Sequence, residues 1–280
     1  MTTIITPATD DTRSADTRTR TRPSFVRHTA YLTLRQLRAA WRIPAFILMN
    51  VVQPLIWLLL FGQLFKSVVE IPGFGGGESY LVFLTPGIVM MMALFGSAWA
   101  GTSYIQDMDR GVMDRFLTSP TSRGAMMVST LLYQALLTLV QSLIVLGVAW
   151  LMGARFDGGL AGILVLLLAA MLLTAGFSAL SNAAALLARD QNVLIGISQL
   201  ITIPLMFLSS ALMDTRLAAD WVADVARFNP FEWAVVAGRQ ALTESPDWAE
   251  VWAHLGLLAA FASVLAWIAT RAFRVYQRSA

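Results

Sequence analysis

The residue types that could make or break bonds are scarce in this chain. It has no cysteine and two histidines, His28 and His254. Disulfides, thiol catalysis and thiolate metal sites are therefore excluded, and two histidines alone do not make a metal site. The one nucleophile and base worth weighing are Ser178, in the run Gly176-Phe177-Ser178-Ala179, and His254; an activated serine needs its imidazole within about 3 Å. No phosphate-binding loop ending in Gly-Lys-Ser or Gly-Lys-Thr is present, and the cluster Gly73-Phe74-Gly75-Gly76-Gly77 runs into Glu78 instead of a lysine. What remains is neutral hydrogen bonding, from Asn50, Gln53, Gln134, Thr138, Gln141, Ser178, Ser181, Asn182, Gln199 and Thr202, and one mixed-charge segment between Ile105 and Arg123. Gln134, Thr138 and Gln141 recur at spacings of four and three, so they share one face of a helix that carries them. Such a face can line a path for an amphipathic molecule or hydrogen-bond to a neighbouring helix.

These groups are embedded in apolar sequence. Of 280 residues, 57% are hydrophobic and 13% charged, with a mean hydropathy of +0.65, whereas soluble domains carry roughly 25% charged residues. Between the Lys, Arg, Asp and Glu residues lie six long charge-free stretches, 43–65, 79–106, 124–154, 158–188, 191–213 and 251–270. About 20 apolar residues at 1.5 Å each cross a hydrocarbon core of about 30 Å, and every stretch is long enough. A soluble enzyme is excluded. So is an outer-membrane barrel, whose strands alternate apolar and polar residues. The expectation is an all-α polytopic membrane protein with six transmembrane helices at about 43–65, 81–104, 125–152, 160–187, 193–213 and 252–271. That arrangement separates the serine from the histidine. Ser178 falls about 30 Å from the outer end of its span and His254 only about four residues from the outer end of its own, so an intramembrane hydrolase is disfavoured. No Asp, Glu, Lys or Arg lies within the six cores, which disfavours ion-coupled transport.

Charge sets the expected orientation. Six spans put both termini on one side, and the residues up to Arg42 include eight arginines. With that side in the cytoplasm, fifteen of the twenty basic residues lie inside and ten of the seventeen acidic residues lie outside. The positive-inside rule favours this topology, in a cytoplasmic membrane with both termini cytoplasmic. The same distribution accounts for the pI of about 9.7 without any nucleic-acid partner. Residues 1–23 are too polar to bury a core and are expected to be a disordered tail, with another short tail at 274–280. From Ser24 to Arg42, Val26, Ala30, Leu34, Leu37 and Trp41 recur beside Arg27, Arg35, Arg38 and Arg42. This pattern predicts an amphipathic helix in the membrane interface, its arginines reaching anionic headgroups.

The segment 105–123 mixes Asp107, Asp109, Arg110, Asp114, Arg115 and Arg123 with an apolar set that includes Phe116 and Leu117, and Ser119-Pro120 stops it. It reads as a short amphipathic helix exposed on the cytoplasmic side, a form suited to a partner's groove, or as a solvated loop helix. Upstream stands Phe83-Leu-Thr-Pro-Gly-Ile-Val-Met-Met-Met-Ala-Leu-Phe-Gly-Ser97, and downstream Asn229-Pro-Phe-Glu-Trp-Ala-Val-Val-Ala-Gly-Arg239. Together these runs resemble the ABC-2 type permeases, and more closely their daunorubicin-resistance branch of drug and lipid exporters.

The resemblance implies a permease subunit that works with a separate ABC ATPase, which binds the ATP and Mg; no cofactor is expected on this chain. It places a coupling helix on 105–123, with Asp107, Asp109, Arg110, Gly111, Asp114, Arg115, Phe116, Pro120 and Arg123 as the ATPase-coupling positions. A second permease copy or paralogue, membrane lipids and a hydrophobic or amphipathic substrate are the other partners it implies. From the polar residues, Asn50, Gln53, Gln134, Thr138, Gln141, Asn182 and Gln199 are the substrate-pathway candidates. Met90, Met91, Met92, Phe95 and Trp99 are read as facing lipid or neighbouring helices. The segment 214–250 is too long for a simple connection; it holds Trp221, Trp233 and Trp248, and a helical pattern opened by Asn229-Pro230. By the resemblance it forms an outer lid, with Asn229, Pro230, Glu232 and Arg239 as its marker residues and Glu232 as a partner for Arg239. The competing readings are an ABC-2 exporter of lipid-linked glycans, for which more aromatic spans are expected, and a membrane scaffold, which has no need of the charged segment.

Overall fold

The structure, a computed structural model, describes residues 25–42, 44–65, 79–111, 123–212 and 220–279. Among these residues the regular elements are all helices: α1 (Phe25–Trp41), α2 (Pro44–Leu64), α3 (Tyr80–Ala98), α4 (Thr102–Asp109), α5 (Arg123–Leu151), α6 (Gly159–Ala188), α7 (Gln191–Phe207), α8 (Asp220–Ala226), α9 (Pro230–Ala241) and α10 (Trp248–Ser279). Four stretches are long and apolar enough to cross a membrane: Tyr80–Asp109, Gly124–Leu151, Gly159–Ala188 and Trp248–Phe273. The shorter apolar helices Leu48–Leu64 and Gln191–Phe207 join them. The chain is therefore an all-helical polytopic membrane protein. The physical reason is that lipid offers backbone N–H and C=O groups no partner, so a spanning segment must satisfy them internally. The expected tail at 1–23 lies outside the described residues.

The bundle is built around α6, which packs on α3, α4, α5, α7, α9 and α10. Its contacts change in kind along its length. At its start, Gly158 and Gly162 lie so close to the Ala241 carbonyl that a Cβ at either would collide with it, and Gly158 N–H donates to Leu242 O at 3.0 Å. Further along, Leu166 lies over Gly238 of α9, and Gly176 makes room for the Phe261 ring of α10. Small residues at these points let backbones approach closely, the main route to tight packing where lipid is as apolar as the side chains. Arg189, at φ 53°, ends α6 in the left-handed conformation, and Asp190 caps α7 by accepting from Asn192 N and Val193 N at 2.7 and 3.0 Å. The two helices are thereby joined by a two-residue link.

The core is apolar and largely formed by α3. Met90, Met91 and Met92 are buried in it with Leu84, Ile88 and Leu94, so the methionine run packs against neighbouring helices. Two expectations need adjusting. The fifth span, expected over about 193–213, is helical only to Phe207, because side chains from α9 take over the backbone bonds beyond it. The amphipathic N-terminal segment is helical, as α1, but its best-buried face is a third one, Thr29 and Thr33, laid on α5, where Thr33 Oγ1 donates to Ser129 O at 3.3 Å. Val26 and Leu34 remain exposed beside it.

Candidate functional site

Of the expected coupling positions, Asp107, Asp109, Arg110 and Gly111 lie among the described residues, at the end of the bundle that carries α1. A break separates α3 from α4 there. Ala100 N bonds to Ser97 O and Thr102 N to Trp99 O, each at 3.1 Å, which is the tighter i to i−3 pattern. That pattern takes Thr102 N away from Ala98 O and leaves Gly101 N without its usual helical acceptor. Two serines complete the account. Ser181 Oγ of α6 donates to Ala98 O at 2.6 Å and accepts from Gly101 N at 3.0 Å, while Ser198 Oγ of α7 donates to the same Ala98 oxygen at 2.9 Å.

Below the break, α4 starts at Thr102, earlier than the expected 105, and ends at Asp109, where Gly111 at φ +65° turns the chain in a conformation open to glycine. Tyr104 is buried, its hydroxyl 3.3 Å from Thr130 Oγ1 of α5. Asp107 is half-buried in the field of Arg35 of α1 and Arg110. Asp109 and Arg110 are exposed. Asp114, Arg115, Phe116 and Pro120 lie outside the described residues, and Arg123 opens α5.

The pathway candidates separate into two groups. Thr138, Gln141 and Asn182 are buried and Gln134 is half-buried. The hydroxyls of Thr138 and Thr174 meet at 3.1 Å, and Asn182 Nδ2 donates to Met127 Sδ at 3.7 Å. Thr138 and Asn182 thus make interhelical contacts. Gln53 on α2 and Gln199 on α7 are exposed, and Asn50 is half-buried. Both helices pack on α3. Along α2, Gln53 is followed at four-residue steps by Trp57, Phe61 and Phe65, whose rings stack with centroids 4.9 and 5.5 Å apart. The row continues through Tyr80 to Phe83. Aromatics spaced by four were visible in the sequence; that they join a second helix was not.

At the opposite end, α7 at 17 residues covers about 25 Å, less than the hydrocarbon thickness. The irregular backbone that follows it needs partners from protein, and the lid residues supply them. Asn229 Nδ2 donates to Leu205 O at 2.7 Å and Leu208 O at 2.8 Å, while its Oδ1 caps α9 through Phe231 N. Pro230 occupies the first turn of α9, where no N–H is needed. Ser210 N donates to Glu232 Oε2 at 2.6 Å, and Arg239 donates to Ser210 O at 2.9 Å and Ser210 Oγ at 3.1 Å. The Arg239 guanidinium sits 3.7 Å from the centroid of Phe83. Glu232 and Arg239 thus meet through Ser210. Helix α9 itself is buried against α6, α10 and α3, so the segment expected as a lid is also part of the core.

The hydrolase pair is separated in the fold as well. Gly176 is level with Phe261, which puts Ser178 about 13 Å along the bundle from His254 by helical rise. His254 Nδ1 pairs with Glu250 O at 3.0 Å. Among the described residues no group of three or more His, Cys, Asp or Glu could hold a metal ion.

The described residues form a membrane-spanning helical bundle in which side chains bond the backbone groups left open at the α3–α4 break and beyond α7. The chain belongs to the ABC-2 type transporter family, whose model matches residues 27–243. It is 28% identical over 242 residues to the daunorubicin resistance ABC transporter permease protein DrrB1 of Streptomyces coeruleorubidus, covering 86% of this chain and 83% of the relative. A putative transport permease, ycf38, of Pyropia yezoensis is 28% identical over 227 residues, 80% of this chain and 77% of the relative. The probable doxorubicin resistance ABC transporter permease protein DrrC of Mycobacterium tuberculosis is 23% identical over 215 residues, 77% and 76% of the two chains.

Proposed function

We propose that the chain is the permease subunit of an ATP-driven exporter that moves amphipathic drugs or lipids outward across the cytoplasmic membrane. A separate ABC ATPase binds and hydrolyses the ATP with its Mg, and docks on the segment that begins with Asp107, Asp109 and Arg110. The α1 end faces the cytoplasm, with both termini there, and α9 stands at the outer side; the distribution of arginines supports this orientation.

The observation that carries the substrate reading is the stripe that begins at Gln53 and Trp57, both exposed, and runs along α2 to the half-buried Phe61 and Phe65. Gln53 is an exposed amide aligned with the rings of Trp57, Phe61 and Phe65, which matches an amphiphile with both a polar group and a flat apolar one. Gln199 offers a second exposed amide on α7. A second permease facing these two helices would enclose them in a symmetric path. The relatives named for daunorubicin and doxorubicin resistance support a drug, and the aromatic row gives the glycan reading a foothold of its own, since sugars also stack on rings.

The test is uptake into inverted vesicles holding the permease and its ATPase, with a fluorescent anthracycline, a labelled phospholipid and a lipid-linked sugar as parallel cargoes. ATP-dependent movement of either of the first two supports the proposal. Movement of the sugar alone would transfer the assignment to glycans.

A further inference from the structure

We propose that the α3–α4 break is the hinge through which movement of the coupling segment enters the bundle, and that Ser181 and Ser198 are the positioning residues that hold it. The inference deepens the permease reading and rests on it. Three observations converge. First, the break changes the backbone bonding inside a stretch, Tyr80–Asp109, that is otherwise one long helical span; short i to i−3 pieces within helices are recognised sites of bending.

Second, the displaced groups are recaptured by side chains and not by backbone. The Ala98 oxygen takes two hydroxyl donors, Ser181 and Ser198, and the Gly101 N–H is held by Ser181. A clasp of hydroxyls can exchange partners as the helices slide. A backbone ladder would have to break. Since Ser181 belongs to α6 and Ser198 to α7, any tilt of α4 is felt at once by both helices. Gly101 lies close enough to α6 that an added Cβ would strike the Ser181 carbonyl and come within 2.8 Å of Ala185 Cβ, so the pivot sits tightly on the central helix.

Third, the described flanks of the break differ. A cleft of about 20 Å³ opens beside the clasp between α6 and α7, lined by Ala98, Phe177, Ser181, Ile197, Ser198 and Thr202. On the other flank, Tyr104 is buried and tied to Thr130 of α5. The free space thus lies at the clasp around Ala98, while α4 is anchored to α5, which leaves Gly101 between the two as the fulcrum.

The experiment uses the full chain in nanodiscs, with and without its ATPase. The sequence has no cysteine, so spin labels attach only where cysteines are introduced, at the exposed positions Gln106 of α4 and Leu187 of α6. In the native complex, trapping nucleotide should change the Gln106–Leu187 distance. Ser181→Ala/Ser198→Ala should broaden that distance distribution even in the isolated permease. In the complex, the double variant removes three hydrogen bonds; it should leave basal hydrolysis intact and lower substrate-stimulated hydrolysis by at least about fivefold, the factor that even one lost buried hydrogen bond represents. Ser198→Thr, which keeps the hydroxyl and has the cleft to receive its methyl, should restore coupling to a Ser198→Ala single variant. A native distance unaffected by nucleotide, or a double variant that couples like the native chain, overturns the hinge. If no ATPase binds the native chain, the permease reading fails, and an unbroadened distribution in the isolated double variant would separately remove the clasp. Should the double variant fail to fold, Ser198→Ala alone carries both measurements.

Discussion

Replacing Asn229 by alanine removes three hydrogen bonds at once. Its side chain is 3% exposed and joins the carbonyls of Leu205 and Leu208 to the first N–H of α9. In membrane bundles a side-chain hydrogen bond is worth about 0.6 kcal/mol on average and up to about 1.7, so three predict a loss of about 2 to 5 kcal/mol. The upper part of that range is favoured because the two carbonyls end a helix that stops short of the hydrocarbon boundary and have no other side chain to turn to among the described contacts. Asn229→Asp separates this explanation from ordinary capping. An aspartate caps a helix as well as asparagine does, but it sets an oxygen against the oxygens of Leu205 and Leu208. Reversible unfolding in mixed micles of rising dodecyl sulfate content, followed by circular dichroism, measures both variants. Alanine and aspartate should each lose at least about 2 kcal/mol. An aspartate variant within about 0.5 kcal/mol of native would refute the reasoning, since the carbonyls would then have needed no donor.

Further expectations follow from neighbouring geometry. Gly158→Ala and Gly162→Ala should each cost about 1 to 3 kcal/mol in the same assay, because the new methyl meets the Ala241 backbone, whereas Gly147→Ala and Gly256→Ala, with nothing within 4 Å, should be neutral or better. Arg239→Lys should lower stability despite keeping its charge, since an ammonium cannot both fork onto Ser210 and lie flat on Phe83; a lysine variant with native melting would count against that role. Thr138→Val and Thr174→Val in a double-mutant cycle should show a coupling of about 0.6 kcal/mol with cargo export unchanged, and a selective loss of export would restore the pair to the pathway. Gln53→Leu should weaken export of a polar amphiphile without reducing ATPase association, which co-purification reads directly.

Some elements were legible because their signal is additive along the chain. The apolar stretches needed only composition and length, and the Asn229-Pro230 start of α9 followed from local capping chemistry. Asp109 and Arg110 are exposed, and the coupling role expected of them rests on the family resemblance. Other features depend on who faces whom. Gln134, Thr138 and Gln141 share a face in the sequence, yet only the packing of α6 shows that Thr138 on this face meets Thr174. Ser181 and Ser198 carry no motif. Their importance comes from the Ala98 carbonyl of a third helix, released by a turn that no local propensity announces.

The sequence by itself determined that this protein lives in a bilayer and crosses it as helices, because the cost of burying unsatisfied backbone in lipid leaves a long apolar run few alternatives. It also carried the family in its Phe83–Ser97, Asp109–Arg123 and Asn229–Arg239 runs. Tertiary structure alone decided where those helices break. A break is tolerable only where another element delivers the missing donor or acceptor, as Ser181 and Ser198 do for α3 and Asn229, Glu232 and Arg239 do beyond α7. Such partners lie up to 100 residues away, so their meeting is a property of the packed bundle and of no segment within it.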